Sequence, residues 1–322
     1  MAWYVVIFIF TASCLLLAWL SSRLINSLVM VAKYLRWREF IIAFFVMALA
    51  ASLPNLFVDL NAVLQHKPEL AFGDIIGGNL VDLTLVLGIA VFFSRKGIST
   101  ESTMVQRSAV FTAAIAVLPL FLIFDGKVDR LDGIILLFAF SFYTWWLFAE
   151  KQRFKKVYHH TKENKNPVGD FKVFLYYLVK IGILLILLLA ASQSVVWAAQ
   201  FFSDRLNISL GLVGILIVGL GNCFPEIYFS IISAKKEENW MVLGDLMGSV
   251  IICATLVLGI IALIAPFEIR DFSLFLSART FLIIAAAFSL LFIWTGKKIT
   301  KREGFFLLLI YIVFLLVEVF IQ

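Results

Sequence analysis

Long apolar runs, separated by short polar segments, alternate along the whole chain. They approach or exceed the roughly 18 residues that an α-helix needs to cross a bilayer. We place ten such runs at residues 3–30, 41–64, 70–93, 108–124, 131–148, 171–202, 210–234, 240–264, 274–294 and 304–321. The pattern therefore predicts an all-α polytopic membrane protein with ten transmembrane helices.

Part of this pattern occurs twice, at a constant offset of 171 residues and without a gap. Pro54 aligns with Pro225, and the run Thr-Leu-Val-Leu-Gly occurs at residues 84–88 and again at 255–259. Self-similarity over half of the chain indicates a duplication. With five helices in each half, the second half enters the membrane from the opposite side.

The duplication divides the chain into three predicted parts. Residues 1–149 form the first five-helix repeat, residues 150–170 a basic linker, and residues 171–322 the second, inverted repeat. Inverted repeats are typical of secondary transporters, whose ion site lies near the bilayer midplane between the two halves.

The distribution of positive charge predicts the orientation in the membrane. If the N-terminus is outside, 20 of the 27 lysines and arginines fall in cytoplasmic loops and 6 in outside loops. Cytoplasmic loops carry the excess of basic residues in membrane proteins. We therefore expect a multi-pass protein of the cell membrane with both termini outside and a cytoplasmic linker.

The composition and motifs of the chain argue against several classes of function. The chain is 62% hydrophobic, with a mean hydropathy of +1.01 and a net charge of +6, which the basic loops explain without a nucleic-acid partner. The sequence has no Walker-type glycine loop for ATP and no His/Cys cluster for zinc or copper. We expect no cofactor, no enzymatic activity and no obligatory protein partner. The expected partners are the lipid bilayer and inorganic cations.

Pro54 and Pro225 lie inside two of the predicted spans. A proline within a helix removes one hydrogen bond and releases the carbonyl four residues earlier, here those of Ala50 and Gly221. In lipid such a group needs a partner from protein, water or an ion. Because both halves carry the kink, we expect it to serve an ion site.

Ionisable residues within the spans are the strongest candidates for that site. Glu226 lies deep in the seventh span and Asp82 in the third, where a charge costs at least about 2.5 kcal/mol by insertion scales. Both should face the protein interior. Asp74 and Asp245, which match across the repeats, either line an ion path or help to start a helix.

At these positions the sequence resembles the calcium/cation antiporter superfamily, whose best-known members are the sodium/calcium exchangers. The family reads G-T-S-L-P-E, then G-N-x-x-G-S-N-x-x-N/D, then L-V-L-G. This chain reads Ala-Ala-Ser-Leu-Pro-Asn at 50–55 and Gly-Asn-Cys-Phe-Pro-Glu at 221–226, and its second motifs cover 73–82 and 244–253. The resemblance implies a ten-helix antiporter that exchanges Na⁺ for Ca²⁺ by alternating access, with long first and sixth helices that slide across the others.

The resemblance also implies the ion ligands. The four principal positions correspond to Asn55, Asp82, Glu226 and Cys253, of which Glu226, Asp82 and Asn55 would hold the metal ion. Neighbouring ligands would fall at Ala51, Ser52, Gly78, Asn222, Cys223 and Ser249.

Several of these positions depart from the family pattern. Asn55 replaces a glutamate, Cys253 replaces Asn or Asp, and Gly78 and Cys223 replace serines. Asp59 stands where the family usually has serine, one helical turn beyond Asn55 and on the same face. Its carboxylate would move the site and not abolish it.

These departures keep three interpretations open. The first is Na⁺/Ca²⁺ exchange. The second is antiport of other cations or of protons. The third is a family member that no longer transports and acts as a membrane scaffold or sensor. An intramembrane hydrolase is disfavoured, because neither proline kink supplies a nucleophile with a base.

Overall fold

The computed structural model describes residues 2–34, 49, 52–149, 171–269 and 275–321. Much of the predicted second span, at 41–48 and 50–51, and the linker at 150–170 lie outside the described residues. Helices make up most of the described chain, and two short sheets complete it. The helices are α1 Trp3–Tyr34, α2 Leu53–Leu64, α3 Pro68–Phe93, α4 Thr103–Leu122, α5 Arg130–Ala149, α6 Phe171–Leu206, α7 Leu210–Asn222, α8 Phe224–Lys235, α9 239–264, α10 Leu276–Thr295 and α11 Lys301–Ile321.

The helices have the length and composition of membrane spans. Six of the described helices are long and apolar enough to cross a bilayer, and α7 with α8 makes a seventh if the bent pair is one span. Helix α2 has 12 residues and is shorter than the predicted second span, most of whose remainder is not described. The polytopic all-α prediction is confirmed, and the count of ten spans stays a prediction.

The centre of the molecule is formed by the two helices that carry the second repeated motif. In their apolar stretches, 83% of α3 and 78% of α9 is buried. The corresponding values are 39% for α1 and 11% for α6, so these helices lie at the periphery. The polar motifs that the two halves share therefore lie in the interior of the molecule.

Helices α1 and α6 pack along each other over much of their length. They have 32 and 36 residues, or roughly 48 and 54 Å, which exceeds the hydrocarbon thickness of about 30 Å. Aromatic pairs join their ends, with Trp3 against Phe202 at one end and Tyr34 stacked on Phe174 at 4.5 Å at the other. Such long helices fit a bilayer only when they are tilted.

Two small antiparallel sheets connect loops of the two halves. Strand β1 (Ile98–Ser99) pairs with β4 (Lys298–Ile299), and β2 (Lys127–Val128) pairs with β3 (Phe267–Glu268). In the second sheet Lys127 Nζ lies 2.9 Å from Glu268 Oε1, and this carboxylate raises the pKa of Lys127. The sequence did not predict these strands, because two residues carry no recognisable alternation.

Candidate functional site

Helix α7 ends and α8 begins at the second repeated proline. Helix α7 stops at Asn222, α8 starts at Phe224, and the two axes differ by 40°. Pro225 occupies the first turn of α8, where a missing N–H costs no hydrogen bond. The predicted proline kink within a continuous span 210–234 is therefore a helix end followed by a new helix start.

The first repeat begins its helix in the same way. Ser52 precedes α2, and Pro54 lies in the first turn. The Ser52 carbonyl accepts from the N–H of Leu56 at 3.1 Å, and the Cys223 carbonyl, 171 positions later, accepts from Ile227 at 2.9 Å. Both helices thus present their N-terminal ends, with their partial positive charge, to the interior of the molecule.

Glu226 is the acidic residue of the first turn of α8. Its side chain is 2% exposed, and neither carboxylate oxygen has a hydrogen-bond partner among the described residues. The charges of Asp82 and Asp245 act on it. A buried carboxylate in this state needs a proton or a cation, since an unpaired charge is costly away from water.

Asp82 is the second principal carboxylate, and it is 2% exposed. It lies within hydrogen-bonding reach of the Ser249 hydroxyl and the Cys223 thiol. Its Oδ1 is without a partner in the part of the chain that the structure describes. A cavity of about 20 Å³, also lined by Thr112 and Ser289, adjoins it and has room for one water molecule.

Asn55 and Cys253, which both depart from the family pattern, are in contact. The Asn55 amide Nδ2 donates to the Cys253 thiol sulfur at 3.4 Å. The amide oxygen of Asn55 has no partner within the described ranges. The two halves are therefore joined here by a neutral amide–thiol contact, which leaves the Asn55 oxygen uninvolved.

The smaller predicted ligand positions line the same region. Cys223 approaches the Gly78 carbonyl, with the sulfur 3.6 Å from the oxygen. Ser52 is 1% exposed and Ser249 is 4% exposed. Contacts therefore join Asp82, Cys223, Ser249 and Gly78. Glu226 and the Asn55–Cys253 pair lie close enough for the charge of Asp82 to act on Glu226 and Cys253. Ala51 lies outside the described residues.

Both central helices contain a π-helical turn beside this group. The turns are Asp82–Val86 in α3 and Ile252–Val257 in α9, at nearly the same offset as the motifs. In each turn a threonine hydroxyl, Thr84 or Thr255, donates to the carbonyl four residues earlier. Single π turns occur frequently at functional sites, and the periodicity of the sequence does not predict these two.

Three further polar residues singled out in the sequence, Asp59, Asp74 and Asn222, lie together. The carboxylates of Asp59 and Asp74 lie within hydrogen-bonding reach of each other, and Asn222 Nδ2 donates to Asp74 Oδ2 at 2.6 Å. Asp74, for which the sequence left a helix-start role open, is 2% exposed and lies inside α3. Asp59 and Asn222 thus contact Asp74, and the structure does not pair Asp59 with Asn55.

Some polar groups near the site were not predicted from the sequence. The Tyr311 hydroxyl on α11 and the Asn79 amide nitrogen on α3 are buried without a partner, as far as the described residues show. Tyr311 lies near Cys223. No repeated motif marks Tyr311, so only the packing of α11 against α3 reveals it.

Glycines allow the helices around the site to approach closely. A Cβ added at Gly77 would lie 2.3 Å from the Ile215 carbonyl oxygen, and one at Gly73 would lie 2.2 Å from the Gly211 oxygen. Helices α3 and α7 therefore pack backbone to backbone, as small residues permit in membrane proteins.

The chemistry of the group suits hard cations. No three or more His, Cys, Asp or Glu side chains within the described ranges are arranged to hold a metal by themselves. Any ion would therefore need amide, hydroxyl and carbonyl oxygens in addition to Asp82 and Glu226. Oxygen donors of this kind suit Na⁺ and Ca²⁺, and soft metals prefer thiolates and imidazoles.

Comparison with known proteins agrees with this arrangement. The family model described as sodium/calcium exchanger protein matches residues 5–149 and 176–320, which is most of both halves. The inner membrane protein YrbG of Escherichia coli K12 is 28% identical over 284 residues, covering 86% of this chain and 85% of that protein. The putative antiporter CaxA of Alkalimonas amylolytica is 25% identical, with coverages of 92% and 93%.

Two further comparisons concern exchangers by name. The sodium/calcium exchanger MaX1 of Methanosarcina acetivorans is 24% identical over 94% of this chain and 95% of that protein. A solved structure of the sodium-calcium exchanger NCX_Mj superposes with a TM-score of 0.65 at 23% identity, covering 97% and 98% of the two chains. That likeness shows a shared fold. With the family model matching both halves, the chain belongs to the sodium/calcium exchanger family of secondary transporters.

Proposed function

We propose that this protein is a secondary-active antiporter that exchanges Na⁺ for Ca²⁺ by alternating access. Family membership supports cation antiport. The choice of ions rests on two buried carboxylates, Asp82 and Glu226, whose charges interact. Oδ1 of Asp82 and both carboxylate oxygens of Glu226 have no hydrogen-bond partner among the described residues. Their two negative charges balance one Ca²⁺, and oxygen ligands also suit Na⁺.

The transported ion binds between the start of α8 and the π turn of α3. Asp82 and Glu226 supply charged oxygens, Asn55 supplies its amide oxygen, and Ser249 supplies a hydroxyl that already faces Asp82. Cys253 lines the site. The remaining proposed ligands and helix breaks are Ser52, Gly78, Asn222, Cys223, Pro54 and Pro225.

The molecule works as two inverted repeats of five helices with both termini outside. The strand pairing supports this arrangement, because each sheet joins a loop of one half to a loop of the other. Under the predicted orientation, β1 and β4 are both cytoplasmic, and β2 and β3 are both outside. Helices α1 and α6, which are long and peripheral, are the elements suited to move between inward-open and outward-open states.

A second candidate is antiport of other cations, including protons. The contact between Asn55 and Cys253 favours it, because a position that carries a carboxylate in the family holds an amide here and bonds to sulfur. Fewer charged ligands weaken the binding of a divalent ion relative to a monovalent one. A protein that retains the fold without transport is the third outcome.

The test is Na⁺-gradient-driven uptake of ⁴⁵Ca²⁺ into proteoliposomes. Wild-type protein should accumulate Ca²⁺ when Na⁺ is inside, and Glu226→Gln and Asp82→Asn should reduce uptake to that of protein-free vesicles. Glu101→Gln, which removes an exposed acid outside the membrane core, is the matched control and should transport normally. Equal uptake by wild type and Glu226→Gln would reject the proposed site.

A further inference from the structure

A buried amide on α2 forms hydrogen bonds to the long helix α6. Asn61 is 6% exposed, and its Nδ2 donates to the Leu189 carbonyl at 3.1 Å and to the Ser192 hydroxyl. The Ser192 hydroxyl also donates to the Leu189 carbonyl, at 2.9 Å. One side chain of α2 is thus bonded to both the backbone and a side chain of α6.

Ser192 is an exception on a helix that lies mostly at the periphery. Only 11% of the apolar stretch of α6 is buried. Ser192 is 0% exposed, and of the α6 side chains that the structure describes it is the one polar side chain that is buried. A buried polar group needs a hydrogen-bond partner within the protein, and Asn61 provides it here.

Helix α2 connects α6 to the interior of the molecule through two of its faces. Asp59 and Asn61 are two residues apart, so their side chains leave the helix about 200° apart. Asp59 lies within hydrogen-bonding reach of Asp74 on α3, whereas Asn61 bonds to α6. The contact of Asn61 therefore joins a peripheral helix to one that is anchored on the buried centre.

The other half of the molecule does not repeat this contact. At the 171-residue offset, Ser192 corresponds to Ser21 of α1, and Asn61 corresponds to Ile232 of α8. Both long helices thus carry the serine, but isoleucine has no hydrogen-bonding group to offer it. The amide contact is a property of one half and not of the repeated fold.

Hydrogen bonds fix a register that apolar packing alone does not. Apolar contacts are non-directional, so a helix that slides exchanges one set for another. An amide hydrogen bond requires a donor–acceptor distance near 3 Å. A shift of α6 by one turn, about 5.4 Å along its axis, would take Leu189 and Ser192 out of reach of Asn61.

We propose that Asn61, Leu189 and Ser192 form a latch that holds α6 in the register of this structure and opens when α6 moves past α2. The inference rests on the alternating access proposed above, in which α1 and α6 move, and it adds the contact that resists this movement. Because α1 and α6 pack along each other, the latch restrains the pair. Hydrogen bonds between membrane helices change an equilibrium by about three-fold each.

The experiment measures the position of α6 through the distance between two spin labels in lipid nanodiscs. Leu206→Cys, at the end of α6, and Lys127→Cys, in β2, replace exposed side chains, whereas the native cysteines are buried. The latch intact should give a major distance and a minor one. Ser192→Ala, which removes one bond, should raise the ratio of minor to major about three-fold, and Asn61→Leu, which removes both, should raise it further.

A matched control removes a serine hydrogen bond of α6 that does not cross to α2. The Ser203 hydroxyl donates to the Ile208 carbonyl in the loop that follows α6. Ser203→Ala should leave the distance distribution unchanged. The double variant Asn61→Leu with Ser192→Ala should match Asn61→Leu alone, because both changes remove the same contact.

A disulfide across the latch tests its link to transport. Asn61→Cys with Ser192→Cys places two thiols at positions in contact, and a protease site inserted into residues 150–170 makes the crosslink visible, because cleavage then leaves the halves joined. The disulfide should stop exchange in proteoliposomes, and reduction should restore it. A purely structural role of Asn61 would not predict this reversible arrest.

The outcomes separate the latch from the proposed exchange. If Ser192→Ala and Asn61→Leu leave the distance distribution unchanged or lower the ratio, the latch is rejected, whatever the rate of exchange. Undiminished exchange by the disulfide-linked protein would also reject it. If both variants raise the ratio and the unlinked protein does not exchange Na⁺ for Ca²⁺, the latch stands and the proposed function fails.

Discussion

At the scale of single residues, two positions that depart from the family pattern, Asn55 and Cys253, are in contact with each other. Asn55 and Cys253 come from opposite halves and bond directly, with the amide nitrogen 3.4 Å from the sulfur. Substituting Asn55 by the glutamate of the family pattern would remove the amide donor of this contact. Neither residue carries a charge, so Asp82 and Glu226 are the charged ligands of the proposed exchange site.

Replacing the sulfur by oxygen should strengthen Ca²⁺ binding at the exchange site. Cys253→Ser keeps an acceptor for the Asn55 amide and adds a hard hydroxyl ligand. A gain of about 1 kcal/mol, typical of one hydrogen bond or ligand contact, corresponds to a roughly five-fold lower half-saturating Ca²⁺ concentration. The measurement is the Ca²⁺ dependence of initial uptake, with the unfolding midpoint as a check on folding. A higher half-saturating concentration in a well-folded variant would contradict this assignment.

At the scale of elements, the sequence predicted the positions of distortion but not their form. Pro54 and Pro225 marked both sites, because proline cannot continue a hydrogen-bonded helix. The structure shows a helix start at each proline and π turns in α3 and α9. A π turn depends on how neighbouring helices hold one extra residue, which single-sequence periodicity does not report.

The crossing of α3 and α7 gives a prediction at this scale. Gly77→Ala places a methyl group 2.3 Å from the Ile215 carbonyl oxygen and forces the helices apart. Overpacking costs about 1–3 kcal/mol, so the unfolding midpoint should fall by several degrees. Gly78→Ala is the matched control, since its methyl group would meet its nearest neighbour, the Cys223 sulfur, at an ordinary 3.8 Å. Equal midpoints for the two variants would show that the crossing tolerates side chains.

At the scale of the whole molecule, the strand pairing follows the duplication in the sequence, because each sheet contains one strand from each half. Strands β2 and β4 match at the 171-residue offset, as 127 and 298 show, yet each pairs with a strand of the other half. The sequence predicted the membrane class, the duplication and the two carboxylates. It did not predict the Asp59–Asp74 contact, because that depends on the rotation of α2 against α3.

The orientation is testable through single cysteines in the two sheets. Native Cys14, Cys223 and Cys253 are buried, whereas Ser99, Lys298, Lys127 and Glu268 are exposed. Ser99→Cys and Lys298→Cys should react with a membrane-impermeant maleimide only from the cytoplasmic side. Lys127→Cys and Glu268→Cys should react only from outside. Labelling of one sheet's two strands from opposite sides would contradict the strand pairing, and reversal of both sheets would overturn the proposed orientation.

The central claim is that the fold couples Ca²⁺ movement to an opposing Na⁺ gradient. The most direct measurement is ⁴⁵Ca²⁺ uptake into wild-type proteoliposomes with Na⁺ inside only, compared with equal Na⁺ on both sides. We predict accumulation in the first condition and none above protein-free vesicles in the second. Uptake that is the same with and without the Na⁺ gradient would contradict Na⁺/Ca²⁺ exchange by this protein.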